Sequence, residues 1–431
     1  MRAFWSTVVR RRGTVKQGPV YRTILDLGTE LIKVLVLELK GDEGVVVGVG
    51  RAHHQEGWGV NDGVVDVEAM ARRCDRALRE AEDMTAEICG RKIVPDWVVV
   101  GLPNYLTIAQ ASAVTHHRSN PTKRIRDKEL RTVVERAQRS AVQQLARKIE
   151  PLQSSQEHRV ELLESTVTDI RVDGHSVTNP VGFRGGNLTV AVFNVVVSSS
   201  HLRAIEAITE DLGLEILTAI SGWQALASML REREGICMDV GGKATDIILV
   251  RNGKAWATGS FPLGGGDFTK HLAETFGLSW KDAEALKLAY ARGMIEGPSE
   301  ARVGEAIGRV MKAWLGGVET TLNGLSGSHP LPHHFNLCGG GSSLPGMLEV
   351  MRSHPWTEVL SFGRHPQVRL MQPEEVSRVL DRTGQLGGEQ DVAPLALARH
   401  TMAGDAEADS LERLLWRVKR PAIFGNTGGR A

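Results

Sequence analysis

Two short segments of this chain put an acid, a flexible turn and a hydroxyl where they can face a phosphate. The first reads Asp26-Leu-Gly28-Thr29-Glu-Leu-Ile-Lys33. A carboxylate at a strand end can reach a metal, a glycine in the turn permits φ > 0, and the turn's hydroxyl and N–H groups can meet phosphate oxygens. Lys33, on the following strand, can return toward the turn as a point charge. Alone, such a hairpin is also what a plain β-turn looks like. The second segment, Asp239-Val-Gly241-Gly242-Lys243-Ala244-Thr245-Asp246, repeats the design. Two hairpins opposed across a cleft would each offer N–H groups to phosphates. Asp26 and Asp239 would give one carboxylate apiece to a Mg²⁺ ion that keeps several waters. A third segment, Asn336-Leu-Cys-Gly339-Gly340-Gly341-Ser342-Ser343, breaks a strand into glycines ahead of a helix. Backbone can approach a ligand closely there, and a helix N-terminus favours negative charge.

The elements that must hold these segments follow from periodicity. β-branched runs at 21–27, 31–39 and 44–50 read as strands, 67–89 as a helix with apolar residues at helical spacing, and 97–102 as a buried strand. From 104 to 198 the character changes: a basic loop, a polar helix at 128–146, and strands at 160–172 and 187–198. This stretch reads as an α+β module inserted into the first lobe. Helices follow at 201–212 and 222–230, then the second hairpin over 235–251, helices at 281–292 and 301–325, and a strand at 335–338. The recurrence of strand, acid, glycine turn and strand in distant segments implies two similar lobes, not a solenoid. The division is a basic tail at 1–18, a first lobe at 19–103 continued at 199–234, the module at 104–198, and a second lobe at 235–335. A closing segment spans 336–402, and a linker with a terminal helix spans 403–431.

Composition narrows the function classes. Lys plus Arg, 52, nearly cancels Asp plus Glu, 51, so no net field draws the chain to nucleic acid. The four cysteines form no CxxC pair, which argues against a zinc ribbon or a disulfide scaffold and for a reducing compartment. The basic start lacks the apolar stretch of a signal peptide. The pairs His53-His54, His116-His117 and His333-His334 read as loop residues, and zinc is not expected. The expectation is a cytoplasmic protein.

With the three glycine-bearing segments in this order, the chain resembles the actin-like ATPase superfamily, and within it FtsA, the bacterial cell-division actin, with PilM of type IV pilus assembly as the next relative. Further stretches carry the likeness. They are Asn61-Asp-Gly63-Val-Val-Asp66, Ala81-Glu82-Asp-Met84, Asp169-Ile-Arg-Val-Asp173-Gly174, Asn179-Pro180-Val-Gly182, Phe261-Pro-Leu-Gly264-Gly265 and Ala283-Glu284-Ala-Leu-Lys287. The resemblance implies an α/β, actin-like two-lobed fold with an FtsA-type insertion and a reduced upper second lobe, because the stretch from Lys287 to Gly339 is short. It implies ATP and Mg²⁺ held by Asp26, Gly28, Thr29 and Lys33 from one lobe. Asp239, Gly241, Gly242 and Thr245 would do so from the other, with Gly264, Gly265 and Gly339 to Gly341 beside the nucleotide. By the same likeness Glu284 and Lys287 contact ribose and adenine; without it they read as an exposed i, i+3 ion pair. Gln224 would orient the attacking water, with Asp246 near the metal-bound water, although a solvent-facing helix glutamine is the alternative.

Lys243 and Ala244 depart from the FtsA pattern, which has a glycine and a threonine there. A lysine forced to positive φ would cost about 1 kcal/mol or more, and turnover is expected to be weak at most. The terminal helix at 410–420 has Leu411, Leu414, Leu415 and Val418 on one stripe, Trp416 at its flank, and Arg413, Arg417, Lys419 and Arg420 opposite. That composition suits a helix lying on a membrane surface or one docked on its own domain; Phe4 and Trp5 offer a second, weaker anchor. The implied partners are the chain itself in a filament, the inner face of the cytoplasmic membrane, and FtsZ or another division or pilus protein. A pilus adaptor and a nucleotide-stabilised structural protein are the rival readings.

Overall fold

The computed structural model describes residues 19–54, 60–61, 64–149, 160–230, 234–326 and 330–406. The tail at 1–18 and the segment at 410–420, with Phe4, Trp5 and Trp416, lie outside them.

The first lobe opens with an antiparallel meander of β1 (Val20–Leu27), β2 (Leu31–Lys40) and β3 (Glu43–His53). Their β-branched runs are buried because helices cover both faces of the sheet. A short ladder of β4 (Val60–Asn61) and β5 (Val64–Val65) precedes α1 (Val67–Cys89). Asp66 starts α1 by accepting from the Ala69 N–H, and left-handed Gly90 ends it. β6 (Trp97–Leu102) then pairs parallel with β1.

The module follows as β7 (Thr107–His117), α2 (Asp127–Ile149), β8 (Val160–Val172), β9 (His175–Ser176) and β10 (Asn187–Ser198). Its strands are antiparallel in the order β7-β10-β8-β9, and α2 closes a separate apolar core with them. α2 extends past the expected 128–146 at both ends.

The chain re-enters the first lobe as α3 (Ser199–Asp211), β11 (Glu215–Ser221) and α4 (Gly222–Ala227). α4 ends at Ala227, short of the expected 230. The second lobe comprises β12 (Gly235–Val240), β13 (Thr245–Arg251), β14 (Lys254–Phe261), α5 (Gly265–Phe276), α6 (Trp280–Ala291) and α7 (Pro298–Leu325). It is completed by β15 (His334–Cys338), α8 (Met347–Ser353), α9 (Trp356–Val359) and β16 (Gln367–Leu370). Between Lys287 and β15 the described residues contribute α7 and no strand. β17 (Val379–Asp381) and α10 (Val392–Ala406) return to the first lobe. The closing segment is thus divided between the lobes.

The sheets run β11-β6-β1-β2-β3-β17 and β14-β13-β12-β15-β16. Setting β17 aside, one order copies the other: β12, β13 and β14 stand for β1, β2 and β3, with β15 for β6 and β16 for β11. Each lobe has its own apolar core, and the first core takes in Cys237, Ile248, Val250 and Cys338 from the second lobe, so the lobes are packed together.

Several expectations need correction. The helix after the glycine trio does not begin at once: a 3₁₀ turn at Gly340–Ser343 comes first, and Pro345 and left-handed Gly346 delay α8 to Met347. The N-terminus of α8 therefore does not follow directly on the trio. The histidine pairs sit at strand ends, not in loops: His53 ends β3, His116 and His117 end β7, and His334 opens β15.

Candidate functional site

The duplicated topology fixes where the two hairpin acids lie. Asp26 faces Lys33 across the β1–β2 pair and Gly101 on parallel β6. Asp239 faces Asp246 across the β12–β13 pair and Cys338 on parallel β15. Both acids thus stand at the carboxyl ends of central strands, where open α/β sheets bind their ligands. The hairpin tips meet between the lobes: the Lys243 N–H donates to Thr29 Oγ1 at 3.3 Å.

Neither tip needs a left-handed residue. Among the described residues, the non-glycine residues with positive φ are Asp173, Asn252 and Arg378, and Lys243 is not one of them. The expected strain at Lys243 is absent, because the turn closes through a Gly241 N–H to Ala244 carbonyl bond of 3.0 Å with all its residues at negative or extended φ. Gly28 likewise has no positive φ; it is needed because a Cβ would strike the Leu31 carbonyl. Gly339 does have φ +84, and a Cβ there would strike Asp239 Oδ1.

The floor of the cleft is rich in carboxylates. Burial pushes Asp239 up to about 7, reinforced by the negative charges of Asp246 and Asp26 and opposed by Lys33. Burial also lifts Asp246 to about 6, against hydrogen bonds from Ser260 and Asn104. Asp26 is raised by burial and held back by Lys33. Lys33 Nζ lies 3.5 Å from Asp26 Oδ2 and donates to the Gln390 carbonyl at 2.5 Å. Among the described residues no three side chains are grouped to cage a metal. Yet Asp246 Oδ1, Gln224 Oε1 and Asn104 Oδ1 are buried without a protein partner. Acids with raised pKa values and orphaned oxygens, without a three-ligand cage, fit a hydrated Mg²⁺ held largely by waters and phosphate oxygens.

On the second-lobe side, the start of α5 is strapped to the hairpin: Gly265 N–H donates to the Gly241 carbonyl at 2.8 Å and Gly266 N–H to that of Gly242 at 2.7 Å. Lys287 is buried and holds this first turn of α5. Its ammonium lies 3.0 Å from the Gly265 carbonyl, 2.8 Å from Thr269 Oγ1 and 2.7 Å from Glu284 Oε2. Its three donors are engaged within the protein, so the ammonium is a brace and not a free contact for a base. Thr245 is turned away from the cleft altogether. Its hydroxyl donates to the Leu263 carbonyl at 2.7 Å and accepts from Trp314 Nε1 at 2.8 Å, inside the core.

Several residues that surround or brace the cleft carry little signal in the sequence. Glu30, beside Thr29, is raised by burial and then by the negative charge of Glu284, and held back by Lys287 and Lys243. His54 is 4% exposed and takes one tautomer: Nε2–H donates to the Gly28 carbonyl at 3.1 Å and Nδ1 accepts from Arg73 at 3.2 Å. Burial lowers its pKa to about 4, keeping it neutral under the first hairpin. Asn104 Nδ2 donates to Asp246 Oδ2 at 2.9 Å from the other lobe. The turn Glu389–Asp391 joins the lobes. The Glu389 carbonyl accepts the Gly339 N–H at 3.0 Å, the Gln390 carbonyl accepts Lys33, and the Asp391 carboxylate takes Arg51 at 2.9 Å. No motif marks any of these positions; an asparagine directly after the proline that ends β6 was the one visible hint.

Two copies of one strand order, with acid-bearing hairpins meeting between packed lobes, define the actin-like two-lobed fold. The family model described as "Cell division protein FtsA" matches residues 236–385. The FtsA proteins of Streptococcus pneumoniae serotype 2 (strain D39) and Bacillus subtilis (strain 168) are each 27% identical, over 353 and 351 residues, spanning 76% of this chain and 72% and 74% of theirs. FtsA of Enterococcus hirae is 25% identical over 408 residues, 88% of this chain and 86% of that one. Among solved structures, the PilM–PilN type IV pilus biogenesis complex superposes with a TM-score of 0.61 at 19% identity, covering 88% of this chain and 98% of that chain, and shares its fold. In sequence the chain is thus similar to the FtsA proteins, and in fold to PilM.

Proposed function

We propose that this chain binds Mg·ATP between its two hairpins and serves bacterial cell division as a self-associating scaffold on the cytoplasmic membrane. The observation that carries the nucleotide reading is the repeated register, which sets Asp26 and Asp239 at matching strand ends on the two sides of one cleft. In this reading the backbone N–H groups around Gly28, Thr29, Gly241 and Gly242 receive the β- and γ-phosphates. Asp26 and Asp239 hold waters of the metal, and Lys33 offsets their charge. Glu284 and the Gly339 to Gly341 turn receive the nucleoside, with Gly264 and Gly265 held in place by Lys287. Bound Mg²⁺ would supply charge neutralisation at the phosphates. Gln224 and Asp246 hold a water by their unpartnered oxygens, and Asp246, raised to about 6, can take its proton.

The likeness to FtsA supports the division role, the filament of like subunits, the membrane attachment through residues 410–420 and a partner such as FtsZ. A pilus-assembly adaptor is the second reading, and the small second lobe, with α7 as the one element between α6 and β15 among the described residues, favours it. Isothermal titration tests the nucleotide reading: Mg·ATP binds the native chain, and Asp26→Ala or Asp239→Ala abolishes the heat. Affinity unchanged by either substitution refutes the cleft. Fluorescent fusions at mid-cell, not at pilus sites, decide between the two roles.

A further inference from the structure

Three contacts run from the inserted module to Asp246 and to the start of α4, the helix that carries Gln224. Asn104, the module's first residue, donates to Asp246. It also touches the start of α4, since a Cβ on Gly222 would lie 2.9 Å from Asn104 Oδ1. Thr107, which opens β7, accepts from Trp223 Nε1 at 3.1 Å. Glu164 on β8 makes the third contact with both oxygens: Oε1 accepts the Ser221 N–H at 2.6 Å and Oε2 the Ser221 hydroxyl at 3.1 Å.

Ser221 immediately precedes α4, and Trp223 and Gln224 lie within it. This helix has six residues, and Ser221 makes no side-chain cap bond to it because its hydroxyl is turned to Glu164. A helix so short has little stability of its own, so its placement depends on what grips its ends. A carboxylate taking two donors from one residue fixes both the position and the rotation of that residue. α4 is thus gripped at its start by Glu164 and at its second residue by Thr107, both from the module.

We propose that Glu164 is a positioning residue: it holds α4, and with it Gln224, against the cleft, and so couples the inserted module to bound nucleotide. The proposal rests on the nucleotide reading of the cleft. A displacement of β8 moves Ser221, and ordering of the water site by nucleotide is returned to β8 along the same bonds. The Asn104–Asp246 bond gives a second connection to the same centre.

Hydrogen exchange with and without Mg·ATP tests this on the full chain, comparing wild type with Glu164→Ala, Glu164→Gln and Ser221→Ala. In wild type, Mg·ATP slows exchange in the second hairpin, residues 235–251, and in β8, residues 160–172. In Glu164→Ala the hairpin response remains while the β8 response falls about tenfold. Glu164→Gln, which keeps one accepting oxygen, falls between. Ser221→Ala, which leaves the N–H bond and the fold in place, also weakens the β8 response. An undiminished β8 response in Glu164→Ala overturns the proposal, as does faster exchange by an equal factor with and without nucleotide, the mark of a merely structural role. No response in the wild-type hairpin removes the cleft reading itself, and this proposal with it.

Discussion

Lys33 and Asp246 occupy the same place in the two lobes. Each is the cross-strand partner of its hairpin aspartate, Lys33 of Asp26 and Asp246 of Asp239. The duplication therefore holds a cation in one copy and an anion in the other, which leaves the second-lobe side of the floor acidic. Lys33→Met removes the charge-assisted bond to the Gln390 carbonyl and the cation beside Asp26. Such bonds contribute roughly 1.5–3 kcal/mol, so Mg·ATP affinity should fall by about 10- to 100-fold. Titration calorimetry measures it, and an unchanged affinity would remove Lys33 from the site.

The raised acids set the direction of the pH response. Asp239 near 7 and Asp246 near 6 lie above the ordinary 3.8 of an unfolded chain, so the folded protein binds more protons than the unfolded chain over that interval. Without ligand, these groups make stability fall as pH rises from about 4 to about 7. A bound cation favours the ionised acids, so Mg·ATP affinity rises over the same interval. Melting curves and titrations from about pH 5 to about pH 8 should move in opposite directions, and Asp239→Asn should flatten both.

Thr245 separates a fold role from a ligand role. Thr245→Val leaves the Trp314 N–H without its acceptor and removes the donor to the Leu263 carbonyl. A loss of about 1–3 kcal/mol in stability is expected for unsatisfied buried groups, with nucleotide affinity unchanged well below the melting temperature. Chemical denaturation and calorimetry on one variant check both halves; a large affinity loss with normal stability would return Thr245 to the cleft.

Lys243 is exposed and unstrained, so Lys243→Gly relieves nothing. The added chain entropy should lower stability by roughly 0.5–1 kcal/mol, without faster phosphate release. Any gain in turnover should come from Ala244→Thr, which restores a hydroxyl beside the turn. Phosphate-release assays on the two single variants distinguish them, and a faster Lys243→Gly enzyme would show that the side chain itself is the brake.

Membrane attachment through residues 410–420 should be marginal for one copy and firm for an assembly, since many weak anchors act through effective concentration. Co-sedimentation with anionic vesicles should rise with protein concentration and ATP and fall with salt. Truncation before Ser410 should abolish it and leave nucleotide binding intact. Equal sedimentation of the two forms would rule out residues 410–420 as the anchor.

The hairpins were legible because acid, glycine and β-branched residues recur in one order, and strand pairing is local. The orientation of Thr245 was legible too, but unread: neighbours on a strand point to opposite faces, so an Asp246 directed at the cleft sends Thr245 into the core. The bracing contacts of the Lys287 ammonium are hidden from the sequence for a different reason. Its partners at Gly265 and Thr269 come from another helix, α5, and i, i+3 spacing with Glu284 says nothing of them. Asn104 and Glu164 act across 142 and 57 residues of chain, where no local pattern reaches.

The turn at Glu389–Asp391 has a mechanical consequence. Two successive carbonyls take one donor from each lobe, the Gly339 N–H on one side and the Lys33 ammonium on the other. A hydrogen bond tolerates a few tenths of an ångström before it weakens sharply. Any swing of one lobe against the other that keeps both bonds must therefore turn about this spot, as a door turns about its pin, and a ligand that draws Lys33 away loosens the pin.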